Sequence, residues 1–183
     1  MVRTGMKQNK RRNFMEIIKT RRSIRSYSDK DISKEDINKI LHAASLAPSA
    51  RNQQPWQFLV VKDKEKMLKV SNELKNISMA KDANLLIIFL TNKENLLTES
   101  MYPQDLAASV TCAMLEARAL NIGSVWCGIC PNQERIDIVR KIFNINNKNI
   151  EPFAVVCFGY PLDNSAFKEV DRFDENKVFY EVM

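Results

Sequence analysis

The chain has 183 residues and a mass of 21.1 kDa, with 45% hydrophobic and 27% charged residues. This composition excludes a disordered or fibrous chain and suffices for one domain with a sizeable core, or for one protomer of an obligate dimer. The formal net charge of +6 is placed unevenly: Arg3, Lys7, Lys10, Arg11 and Arg12 supply five positive charges within residues 1–12, leaving 23 basic against 22 acidic residues in the rest. The basic character therefore belongs to an N-terminal arm, and a body built around nucleic acid is not expected.

Apolar runs such as Leu85–Leu90 stop far short of the ~20 residues that a spanning helix needs. Glu16 and Lys19 interrupt the only candidate signal-peptide core. A cytoplasmic protein is expected, with residues 1–13 a basic extension and 14–183 a single domain.

In chain order, Phe14, Ile17 and Ile18 mark a short amphipathic helix over 14–20 that feeds the run Arg21-Arg22-Ser23-Ile24-Arg25. Three guanidinium groups within five residues repel one another unless an anion sits among them, and the planar donor fork of arginine suits phosphate and carbonyl oxygens. Tyr27-Ser28-Asp29 reads as a turn. Ser33 then caps a helix whose apolar residues Ile37, Ile40, Leu41 and Ala44 recur at helical spacing. It must end before Pro48. The polar loop Ala47-Pro48-Ser49-Ala50-Arg51-Asn52-Gln53-Gln54-Pro55-Trp56 follows, and Phe58–Val61 is a strand.

Residues 64–75 form a charged surface helix with Met67, Leu68 and Leu74 inward, and Leu85–Leu90 is a buried strand. Pro103 opens a long helix to about Leu120, apolar around much of its girth, which marks it for a core or a dimer seam. Asn121 and Gly123 end it. A strand at Ser124–Cys127, a helix at 132–143 and a strand at Phe153–Phe158 complete the body. Lys177–Val182 is β-prone and isolated. Alternation of strands and helices points to an α+β (α/β) protein with a mixed central sheet covered by helices on both faces.

The motifs RRSIRSY (21–27) and APSARNQQPWQFLVV (47–61) together resemble the signature of the nitroreductase family of flavin mononucleotide (FMN) enzymes. The resemblance runs from about Met15 to the C-terminus and is densest in the first third. It implies a homodimer with FMN at the subunit interface and the C-terminal strand exchanged onto the partner. It also implies hydride passage from NADH or NADPH through flavin N5 to nitroaromatic, quinone or similar acceptors, with no catalytic side chain required.

Carried over position by position, Arg21 and Ser23 hold the phosphate, Arg25 reaches the pyrimidine edge, and Arg22 serves either. Asn52 bonds the polar edge of the ring, and Pro48 and Ser49 border the cofactor from the other subunit. Trp126, Cys127 and Gly128 form the strand segment facing N5, where glycine permits close backbone approach. Arg172, with Lys168 as a second candidate, occupies the place of a phosphate-binding basic residue. For Arg172 the bland alternative is an ion pair with Asp171 or Asp174.

Two further classes fit the same residues: a specialised flavin enzyme such as a dehalogenase or flavin-cleaving enzyme, and a non-catalytic flavin-binding redox sensor. The chain lacks GxGxxG, P-loop and GxSxG motifs. Four cysteines with the single histidine His42 make neither a disulfide framework nor a zinc set, so Cys127-x-x-Cys130 is read without a metal.

Overall fold

The structure, a computed structural model, describes residues 13–183; apart from Asn13, the basic extension lies outside them. Five α-helices and four strands are described: α1 (Phe14–Thr20), α2 (Lys34–Ser45), β1 (Trp56–Val61), α3 (Lys64–Glu73), β2 (Leu85–Asn92), α4 (Tyr102–Ala119), β3 (Gly123–Gly128), α5 (Gln133–Phe143) and β4 (Ile150–Gly159). Their ends follow local chemistry. Ser33 Oγ accepts from the Asp36 amide at 3.1 Å, Pro103 sits in the first turn of α4, and Asn121 takes the left-handed conformation (φ 61°) just past its end.

The sheet order is β1-β2-β4-β3, and all three ladders are antiparallel. A single parallel bridge, Ser23 with Ser124, adds the arginine segment to the β3 edge. Side chains alternate across the central strands. Leu86, Ile88 and Leu90 of β2 enter one core with Met67 of α3, Ile77, and Ile136 and Val139 of α5. Leu85, Ile87 and Phe89 enter another with Ile37 and Ile40 of α2 and Leu106, Val110 and Ala113 of α4. Helices thus cover both faces, as expected, because β2 and β4 are apolar on both.

Some expectations need correction. A mixed sheet was expected, but among the described residues its ladders are all antiparallel and the parallel pairing is limited to the Ser23–Ser124 bridge. Leu68 is exposed, because the apolar stripe of α3 is Met67, Val70 and Leu74. Lys177–Val182 forms no strand: only a short 3-10 turn at Glu175–Lys177 is present, and Phe179, Tyr180 and Val182 are exposed. A strand needs a neighbour for its backbone groups, and within its own chain this segment has none. Among the described residues no helix is long and apolar enough to cross a membrane.

Candidate functional site

After α1 the chain runs along β3 and then turns across the end of the sheet. Ile24 N–H donates to Ser124 O at 3.0 Å, Tyr27 bridges Pro161, and Ser28 N–H donates to Tyr160 O at 2.8 Å. Tyr27 is therefore not part of a turn but a buried anchor, its hydroxyl donating to Ile24 O at 2.6 Å. Burial, with the neighbouring Cys157 and Cys127 thiols, pushes that hydroxyl's pKa far up, so it stays a donor.

Two glycines make room for this crossing. A Cβ at Gly123 would stand 2.8 Å from Ile24 Cβ, and one at Gly159 would stand 2.3 Å from Asn84 Oδ1 and 2.6 Å from a Tyr27 ring carbon. Asn84 in turn donates to Ser28 O at 3.0 Å. The buried side chains Ile24 and Tyr27 thus point into the core, and the polar ones between and beside them are left at the surface.

The result is a cleft of about 550 Å³ lined by Arg21, Arg22, Ser23 and Arg25 together with Pro161 and Arg172. Arg172 arrives from the far end of the chain because Val170 N–H donates to Lys19 O at 3.1 Å and Lys19 Nζ lies 3.2 Å from Glu169. Lys168 is not among the lining residues. Arg172 makes no ion pair with Asp171 or Asp174: among the described residues these carboxylates engage Lys19 and Lys177. Arg21, Arg22 and Arg25 are likewise without an ion pair among the described residues. Burial, then the charges of Arg22 and Arg172, lower the pKa of the Arg21 guanidinium. Positive charge is thus concentrated here against its own repulsion. Asp163, at the rim, is already bonded to Ser165.

Further along β3, Trp126 stacks at a tilt on Phe153, with centroids 5.8 Å apart. Cys127 points into the opposite core, which Cys157 shares; the influence of that thiol holds the Cys127 pKa below the ordinary thiol value against the pull of burial, with Arg25 adding to the effect. Gly128 differs from the other two described glycines: a Cβ built on it meets nothing within 4 Å. The Cys127-x-x-Cys130 pair does not come together, because Cys130 Sγ lies beside the Tyr102 hydroxyl at 3.7 Å.

The loop carrying Pro48, Ser49 and Asn52 lies elsewhere. It leads into Trp56, which pairs with Thr91 and so sits level with Glu151 of β4, whereas the arginine segment meets the sheet at Ser124, opposite Phe158. The two are on opposite edges and at opposite ends of the sheet, roughly 25 Å apart by standard strand spacings. One copy of the chain does not bring them together.

This loop is built unusually. Arg51 (φ 52°), Asn52 (φ 55°) and Gln54 (φ 45°) all adopt left-handed backbone, at about 1–2 kcal/mol for a non-glycine residue and less for asparagine. What holds it is Asp105 of α4, a residue the sequence reading passed over. Its Oδ1 accepts from Ala50 N–H at 2.8 Å and its Oδ2 from the Gln53 side-chain amide at 2.6 Å. Gln53 also pairs with the Thr98 backbone, and Ser49 Oγ accepts from Gln54 N–H at 3.0 Å. The available signal was an acidic residue in the first turn of an otherwise apolar helix; only burial, to 4% exposure, gives it meaning. Asp105→Ala is expected to cost about 2 kcal/mol, since bonds to a charged acceptor are lost. It should also release the Ala50 amide to rapid hydrogen exchange; retained protection there would refute the assignment.

The match to the family model "Nitroreductase family" covers residues 18–160. A protein of Archaeoglobus fulgidus, provisionally named NADH dehydrogenase/NAD(P)H nitroreductase, is 44% identical over 169 residues, 91% of this chain and 97% of that one. Among solved structures, one from Clostridium acetobutylicum, provisionally named NADH oxidase, superposes with a TM-score of 0.87 at 44% identity, covering 91% of this chain and 99% of that one. An FMN-dependent nitroreductase from Clostridium difficile R20291 superposes with a TM-score of 0.83 at 27% identity, covering 92% and 99%. A family match over most of the chain and a relative this similar along nearly its whole length place the protein in the nitroreductase family.

Proposed function

We propose that this chain is an FMN-dependent NAD(P)H oxidoreductase, acting as a homodimer on nitroaromatic, quinone or similar electron-poor acceptors. The observation that carries the reading is the convergence of Arg21, Arg22, Arg25 and Arg172 on one cleft, with no ion pair to any of them among the described residues. A phosphomonoester brings roughly −1.5 to −2 charge near pH 7, which offsets the mutual repulsion of such a group. The likeness to an FMN-dependent nitroreductase supports the same cofactor.

The residues present fit FMN on two counts. The arginine cleft and the Ser23 hydroxyl offer charge-assisted donors for the phosphate. Gly128, four strand residues from Ser124 or about 13 Å away, leaves bare backbone to open space where a flat ring can approach. When bound, the flavin would supply two-electron hydride chemistry at N5. Arg25 lines the cleft as a fixed positive charge that would favour a negatively charged pyrimidine edge, with Arg22 serving either end. Trp126 and Phe153 brace the strand from beneath, and Cys127 stays in the core.

Pro48, Ser49 and Asn52 would complete the pocket from the partner copy, which accounts for their distance from the arginines within one chain. The exposed apolar tail, with Phe179, Tyr180 and Val182, would pair onto the partner in the same assembly.

The test is an absorption spectrum of the purified protein, followed by anaerobic addition of NADH or NADPH. Flavin bands that bleach on addition are the expected result and identify the donor. Flavin that stays oxidised with both donors would overturn the oxidoreductase reading, and failure to take up added FMN would overturn the cofactor.

A further inference from the structure

We propose that the first turn of α4, through Tyr102 and Asp105, is a positioning device that links the two flavin sites of the dimer, so that filling one changes the affinity of the other. The inference rests on the reading above, in which each copy holds one FMN along β3 and covers its partner's with the 48–54 loop.

Tyr102 and Asp105 lie three residues apart, hence on one face of the same turn. Each grips a different part of the site. Tyr102 donates to Glu151 Oε1 at 2.5 Å, and Glu151 Oε2 is held by Lys93 at 2.6 Å. Cys130 Sγ lies 3.7 Å from the Tyr102 oxygen and 3.9 Å from Glu151 Oε1. Cys130 and Ile129 both donate their backbone N–H to Phe153 O, at 3.0 and 3.1 Å, and Phe153 stands two residues from Glu151 on β4. The turn that follows Gly128 is therefore tied to Tyr102 both directly and through β4.

Asp105 reaches the other way, to Ala50 N–H and the Gln53 amide of the loop. That loop holds three non-glycine residues in left-handed backbone, a conformation that persists only where its surroundings impose it. It therefore has a relaxed alternative, and Asp105 is what selects against it. A ring packed against Gly128 displaces or stiffens the Gly128–Cys130 turn, Tyr102 carries this to the helix, and Asp105 carries it to the loop lying over the partner's flavin. Linkage makes the effect reciprocal, and couplings of this kind are ordinarily worth about 5- to 150-fold in affinity.

The experiment is calorimetric titration of the flavin-free, full-length protein with FMN, for the parent and for Tyr102→Phe and Glu151→Leu. The first removes the donor and the second the acceptor of the Tyr102–Glu151 bond, and neither touches the arginine cleft. The parent is expected to bind two FMN per dimer with intrinsic affinities about fivefold or more apart. In both variants the stoichiometry stays at two and the affinities converge to within about twofold, a change that a merely structural role would not produce. Equal and independent sites in the parent overturn the coupling while leaving the FMN reading intact. So does an affinity ratio that survives both substitutions, or a monomer that binds one FMN. No FMN binding at all overturns the flavin reading and the coupling with it.

Discussion

Arg21→Ala is expected to weaken FMN binding by about 10- to 100-fold, the range that follows from losing a charge-assisted bond of about 1.5–3 kcal/mol. Arg21 is the guanidinium most penalised in the cleft: burial acts on it first, and Arg22 and Arg172 repel it. The same physics gives a second, opposite expectation. Without ligand the side chain relieves nothing, so the flavin-free variant should melt at the parent temperature or above. Loss of affinity without loss of stability is the signature of a group placed for its ligand and not for the fold.

Arg51→Ala is the control. Arg51 is exposed, lines no part of its own chain's cleft, and is not among the loop residues Pro48, Ser49 and Asn52 placed against the partner's flavin, so its replacement should change affinity by less than about threefold. Fluorescence titration of FMN decides the matter. An Arg21→Ala protein that binds FMN as tightly as the parent would remove the phosphate assignment.

Gly159→Ala should be the most damaging small substitution in the body of the protein. The added methyl would stand 2.3 Å from Asn84 Oδ1 and 2.6 Å from the Tyr27 ring, and neither can step aside. Asn84 is fixed by its bond to Ser28 O, and Tyr27 by its bond to Ile24 O. Overpacking of this kind costs on the order of 3 kcal/mol, or roughly 6–12 °C in melting temperature for a chain of this length. Because the Arg21–Tyr27 segment rests on this contact, FMN affinity should fall with stability.

Gly128→Ala makes the opposite case. Its methyl meets nothing within 4 Å of its own chain, and alanine is less costly than glycine within a strand. Stability should hold or rise slightly, by less than about 1 kcal/mol, while any ring seated against the bare backbone loses its place. Equal thermal shifts for the two variants would show that the contacts around Gly159 do not carry the arginine segment.

Much of this was legible in the chain. Apolar runs flanked by turn residues marked β2 and β4, helical spacing marked α2 and α4, and the Ser33 cap and Pro103 start fell where local chemistry put them. The clustering of arginines at 21–25 is a fact of sequence, as is their need for an anion. These features are local: a cap, a period or a charge run acts over a few residues, so its meaning can be read in place.

What the linear chain does not contain is distance between segments. Arg172 reads as an ordinary surface charge until the Val170–Lys19 bond brings it to the cleft. Asp105 reads as a helix-start carboxylate until burial turns it into the clamp on the 48–54 loop. Gly123 reads only as the end of a helix, yet it and Gly159 are where the backbone is bare enough for Ile24 and Tyr27 to cross the sheet. The tail of residues 177–182 has strand-forming side chains but no strand to join in its own chain. By itself, then, the sequence determined the elements, the charge cluster and the family signature. Only the tertiary structure decided which charges meet, which glycines are indispensable and which parts of the candidate site one chain keeps apart, because those depend on contacts between residues distant in the chain, such as Ala50 with Asp105 and Lys19 with Val170.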